Sequence, residues 1–157
     1  GSLTFNLICM GYGSMGVVRR FGQLVQSFSG SLWLSAEHEF NTRQLLQSIG
    51  FGAWRDPRYF AALYLFGSNR TLLKRAWNAC LPDRFIPEYI LLHGISPHDY
   101  ALVTVAKTIL GVAGFEDAIP AELLADTEVI DDEAFRLIVN ALLIANYGPA
   151  VLKLGGG

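Results

Sequence analysis

At 157 residues the chain holds one domain, able to remove roughly 70% of its unfolded surface from water, and is too short for two of ordinary size. Apolar residues make up 52% and charged ones 17%, against a usual charged share of about 25%, so an exposed apolar patch and self-association are expected. The net charge of −2 disfavours strong phosphate-backbone binding, and no apolar run reaches the roughly 18 uninterrupted residues of a membrane span, so the chain reads as soluble and not membrane-bound.

The opening Gly-Ser reads as a tag remnant and residues 155–157 as a flexible tail; everything between reads as one domain. Residues 3–10 predict a short apolar strand. Gly11-Tyr12-Gly13-Ser14-Met15-Gly16 then matches G-x-G-x-x-G, and Val17, Val18, Phe21, Leu24, Val25 and Phe28 recur at helical spacing. After a second apolar stretch at 32–34 comes Glu37, at about the 20-residue offset where a dinucleotide fold keeps its ribose-binding acid. In that fold the three glycines serve the tight turn, the approach of backbone to pyrophosphate and close helix packing. Such a fold needs about six parallel strands. Residues 38–81, however, read as consecutive helices, so the glycines are expected to serve turns, and no cofactor is expected. Gly11, Gly13, Gly16 and Glu37 are nucleotide-binding candidates only in the alternative reading, a small α/β protein with a Rossmann-like start.

Asp56-Pro57 is an N-cap with proline at the first helical position, and Arg58 to Phe66 follows until Gly67. Ser68 or Asn69 caps a second helix over 71–81, whose Leu72, Leu73, Ala76, Trp77 and Cys80 form an apolar stripe; the two make a helical hairpin. Residues 85–94 fit a buried strand or a helical turn after Pro87, and the turn is favoured because no partner strand lies nearby. Ser96-Pro97-His98-Asp99 opens a further helix carrying Leu102, Val105, Ala106, Ile109 and Val112. Pro120 opens a short turn, and Asp131 or Asp132 caps a helix over 133–147. That last helix is apolar almost all round, with Glu133, Arg136 and Asn140 on one polar edge, so it is central or lies at an interface; Ile138, Leu142 and Leu143 are its candidate interface residues.

Cys9 and Cys80 are the only cysteines, lacking metal or redox spacing, and read as reduced thiols of a cytoplasmic protein. Charge is segregated: residues 55–84 carry six cations against Asp56 and Asp83, a net +4, whereas residues 85–157 carry a net −7, with eight acids between Glu116 and Glu133. These are solvated faces, or surfaces that meet within a chain or between chains. The zinc pattern H-E-x-x-H fails because position 42 is Thr where a second histidine is needed, and the acids of 126–133 lack the central glycine of a calcium loop. Ser14 lacks the glycine of a nucleophile elbow, and neither His93 nor His98 is tied to a nucleophile. Arg70, Lys74 and Arg75, interleaved with Tyr59 and Trp77, are candidates for nucleic acid in a second alternative, although both aromatics fit core positions.

Leu34-Ser35-Ala36-Glu37-His38, Asp56-Pro57-Arg58-Tyr59-Phe60-Ala61-Ala62-Leu63-Tyr64-Leu65, Trp77, and Ile95-Ser96 leading into Ala101, Leu102 and Ala106 resemble an uncharacterised family of small helical proteins from bacterial and phage genomes. The resemblance spans residues 32 to 111 and implies a helical fold and a mobile-element context; it implies no activity and no site residues. The resulting expectation is a mainly α single-domain bundle of about six helices with a short N-terminal strand. Its expected role is that of a non-enzymatic, self-associating interaction protein, a homo-oligomer with a protein partner.

Overall fold

Short polar side chains and prolines set where the helices begin. A computed structural model provides the structure, which describes residues 15–27, 31–50, 55–116 and 119–153. Seven α-helices run through these residues: α1 (Met15–Gln26), α2 (Ala36–Ile49), α3 (Pro57–Phe66), α4 (Arg70–Ala76), α5 (Pro97–Ile109), α6 (Ala121–Ala125) and α7 (Asp132–Tyr147). Short 3-10 turns occupy Trp77–Ala79, Pro87–Tyr89 and Pro149–Lys153. The side chains of Ser35, Asp56, Asn69, Ser96 and Asp131 each accept a backbone N–H from the first turn that follows, satisfying donors that the helix itself leaves open. The protein is an all-helical single domain. Among the described residues no strand occurs, and Cys80 and Phe85 form an isolated antiparallel bridge.

Helix α3 is the axis of the core. All residues from 59 to 66 are buried, which a helix achieves only when neighbours surround it, and α2, α5 and α7 do so. Helix α7 packs on both α3 and α5, and the closing 3-10 turn folds back onto it, while α1 lies against α6. The apolar circumference of α7 is thus covered by the chain's own elements: Ile138 is 1% and Leu142 6% exposed, and Leu143 is half-buried.

Two expectations need correction. The α/β alternative fails where it can be examined: residues 32–34 form a bend instead of a strand, and Glu37 belongs to the first turn of α2, immediately after the Ser35 cap. Residues 3–10, Gly11 and Gly13 lie outside the described residues, and Gly16 lies in the first turn of α1. The helix expected over 71–81 stops at Ala76 and tightens into a 3-10 turn; Trp77, at the rim of the apolar stripe, is left 39% exposed instead of in the core. The helical turn expected after Pro87 is present as the 3-10 turn Pro87–Tyr89; beyond it the chain is neither helix nor strand, and the Leu91 N–H donates to the Arg75 carbonyl at 3.1 Å.

Gly67 marks the closest approach of α2 to the end of α3. A methyl group there would stand 2.4 Å from Thr42 Oγ1 and 2.9 Å from the Thr42 backbone nitrogen. Gly67→Ala is therefore expected to destabilise by about 1–3 kcal/mol through overpacking. Gly22, on α1, has nothing within 4 Å of such a methyl, so Gly22→Ala is expected to stabilise by about 0.5–1 kcal/mol through helix propensity. Urea denaturation of the two variants should move the midpoint in opposite directions.

Candidate functional site

The polar groups richest in chemistry converge where the turn at 31–34 meets α2, α3 and α7. His38, fully buried on α2, accepts the Leu34 N–H at Nδ1 (3.1 Å), so its Nε2 carries the proton and donates to the Tyr64 carbonyl at 2.7 Å. The Tyr64 hydroxyl donates to the Leu32 carbonyl, and the Asn140 amide donates to that hydroxyl at 3.1 Å and to the same carbonyl at 3.4 Å. Arg136 adds a 2.7 Å bond to the Ser31 carbonyl. Trp33 covers the group, its ring centroid 5.0 Å from His38 and 5.6 Å from Tyr64. Burial lowers the His38 pKa from 6.5 to about 4 and raises that of the Tyr64 hydroxyl. A neutral histidine with both nitrogens engaged, beside a protonated tyrosine, holds a turn in place. It has no free lone pair for a metal or a substrate proton.

A cleft of about 400 Å³ opens beside this network between α1 and the start of α7, lined by Arg20, Gln23, Leu24, Asp132, Glu133 and Arg136 among others. Arg20, 5% exposed, donates from Nη1 to the Leu124 carbonyl at 2.6 Å and from Nη2 to Asp132 at 3.2 Å, with its guanidinium 4.6 Å from the centre of the Phe135 ring. Its Nε is buried without a partner. Both arginines of the cleft thus clamp backbone carbonyls, and Asp132 pairs with the charge of Arg20. Elsewhere, His98 bridges the starts of α5 and α7: Nδ1 lies 2.7 Å from Asp131, and Nε2 lies 3.5 Å from Glu133 and 3.9 Å from Asp99. Burial works to raise the Asp131 carboxyl, but the bonds from the Ala134 N–H and His98 outweigh it and hold that group below the usual carboxylate range. Among the described residues no three metal-ligating side chains converge in a metal-binding arrangement. Cys80 is a free, buried thiol pushed up to about 12, so it supplies no thiolate at neutral pH.

The outer surface carries a different feature. Trp77, Tyr89, Leu91 and Leu92 are 39–59% exposed and belong to two adjoining segments, the 3-10 turn that follows α4 and the stretch from Tyr89 to Leu92. Arg75 joins the two: its guanidinium donates to the Leu91 and His93 carbonyls, the latter at 2.9 Å, in addition to the backbone bond from Leu91. Of the nucleic-acid candidates, Arg70 and Lys74 are therefore exposed and share a face one turn apart, whereas Arg75 is spent on backbone. Glu37 is exposed, in the first turn of α2.

Sequence reasoning passed over Arg20 and gave His38, Tyr64 and Asn140 no part in a shared network. A signal existed for Arg20, which shares the apolar face of α1 with Val17, Phe21 and Leu24 at i, i+3, i+4 and i+7 spacing. Another existed for Asn140, on the polar edge of a helix otherwise apolar. No family model, curated protein or solved structure matches the chain. No helix among the described residues is long and apolar enough to cross a membrane.

His38 gives the fold a pH dependence with a definite sign. Its folded pKa of about 4 lies below the unfolded 6.5, so below 6.5 the unfolded chain takes up a proton that the folded one refuses. The stabilisation is full above that value and is lost as the pH falls towards 4, by an amount on the order of 3 kcal/mol at 1.36 kcal/mol per unit of pKa difference. Denaturation between these two pH values should show this loss, and His38→Gln should flatten the slope whatever it does to stability at neutral pH.

Proposed function

We propose that the protein is a non-enzymatic interaction protein that self-associates, serving as an accessory factor in a bacterial or phage mobile-element setting. The observation that carries the reading is the exposed apolar strip of Trp77, Tyr89, Leu91 and Leu92, held in one conformation by Arg75. Large apolar side chains grouped on a surface mark places where another molecule sits. An aromatic ring on a pre-ordered backbone loses little entropy on docking, which favours this strip as an anchor. The buried groups support the same reading from the other side, because His38, Tyr64 and Arg136 are engaged in holding backbone. The packing of α7 is also consistent with it: Ile138 and Leu142 serve the core, which leaves association to exposed apolar side chains elsewhere, among them those of the strip.

Sedimentation velocity at high micromolar concentration tests the proposal. The wild-type protein should sediment as an oligomer, and Leu91→Glu, at a side chain 59% exposed, should be monomeric with an unchanged circular dichroism spectrum. A strictly monomeric wild-type protein contradicts the reading.

A second reading, weak binding of single-stranded nucleic acid, draws on Arg70 and Lys74 beside Trp77. With a net charge of −2, affinity should vanish by about 150 mM salt as counterion release loses its drive. Tight binding of a labelled oligonucleotide at that salt, abolished by Arg70→Glu with Lys74→Glu, would place this reading first.

A further inference from the structure

We infer that the second copy docks its acidic segment, residues 122–129, onto the basic apolar strip formed by α4 and residues 89–92, so that chains associate through two different, complementary patches. This deepens the self-association reading and rests on it.

The acceptor patch combines Arg70 and Lys74 on α4 with Trp77, Leu91 and Leu92. The opposite patch is built on α6 and the turn after it. There Leu124, 2% exposed, and Ile130, 1% exposed, anchor the backbone to the core, while Leu123 at 36% and Val129 at 38% stand out into solvent. Exposed Glu122, Asp126 and Glu128 interleave with these two apolar side chains. One patch is therefore apolar with cations at its edge, and the other is apolar with acids at its edge.

Charge complementarity identifies the occupant. Among the described residues none of the six cations in 55–84 forms an ion pair with an acid: the ion pairs present are Arg20 with Asp132, Arg43 with Glu39, and His98 with its three carboxylates. Among the described residues the basic and acidic segments thus form no ion pair with each other within one chain. Among the acids, Asp131, Asp132 and Glu133 are engaged by His98 or Arg20. Glu122 and Glu128, by contrast, have no cation beside them among the described residues. A second copy brings each patch the partner its own chain does not supply, and rim charges of opposite sign steer the encounter and fix its orientation more than they add affinity. Two unlike patches pair either once per contact, a heterologous arrangement that closes as a ring or runs on as an open filament, or twice about a two-fold axis as an isologous dimer.

Charge reversal followed by analytical ultracentrifugation tests the inference. Arg70→Glu with Lys74→Glu, and separately Glu122→Lys with Glu128→Lys, should each weaken association at least tenfold at about 50 mM salt, where screening is mild. An equimolar mixture of the two double variants should associate again, as should one chain carrying all four changes. Raising salt to about 1 M should weaken the wild-type oligomer, since the Debye length falls to about 3 Å. Rescue in the mixture supports the pairing, because no effect on folding of the separate variants can produce it. A wild-type oligomer that both double variants leave unchanged overturns this pairing while leaving self-association intact. A wild-type protein monomeric throughout overturns both.

Discussion

The Leu32 carbonyl is the acceptor on which two of the central helices agree. Tyr64 of α3 and Asn140 of α7 both donate to it, and the Asn140 amide also supports the Tyr64 hydroxyl. A buried tyrosine, asparagine or carbonyl left unsatisfied costs about 1–3 kcal/mol, so removing any member of this set leaves the others exposed to that penalty. The apolar packing of α3 against α2, α5 and α7 is non-directional and tolerates many small displacements. The shared acceptor is directional and fixes one arrangement of the turn at 31–34. His38 extends the same constraint to α2, reaching back to the Leu34 N–H and across to the Tyr64 carbonyl.

Two arginines repeat the device at greater sequence separation. Arg136 holds the Ser31 carbonyl and Arg20 holds the Leu124 carbonyl, so segments more than 100 residues apart are tied by charge-assisted bonds between helix and loop. Arg75 does the same on the surface for Leu91 and His93. All three guanidinium groups thus hold backbone, while apolar side chains such as Tyr89 and Leu91 stand exposed at the surface.

Helix starts were legible because their chemistry is local: Asp56-Pro57, Asn69, Ser96-Pro97 and Asp131 cap in the structure as they read in the sequence. The central position of α7 was legible from its all-round apolar pattern, although periodicity alone left open whether a second chain covers it. Trp77 was misplaced because a helical stripe assumes a helix that continues, and the tightening after Ala76 depends on tertiary packing. The buried network was not legible. His38 drew notice only as a failed zinc ligand, and its true partners, Leu34 and Tyr64, are fixed by how α2 crosses α3. The apolar strip likewise depends on Arg75 reaching the carbonyls of residues 16 and 18 positions away, which no local pattern encodes.

A double-mutant cycle on Tyr64→Phe and Asn140→Leu tests most directly whether one shared acceptor couples the central helices. Both changes keep the volume nearly constant and remove only the polar groups, so the interaction energy from chemical denaturation reports the network itself. Clear non-additivity is expected, about 0.5–3 kcal/mol, the range for residues in one hydrogen-bond network. Additivity within about 0.5 kcal/mol would show that the two helices are held by apolar packing alone and would contradict it.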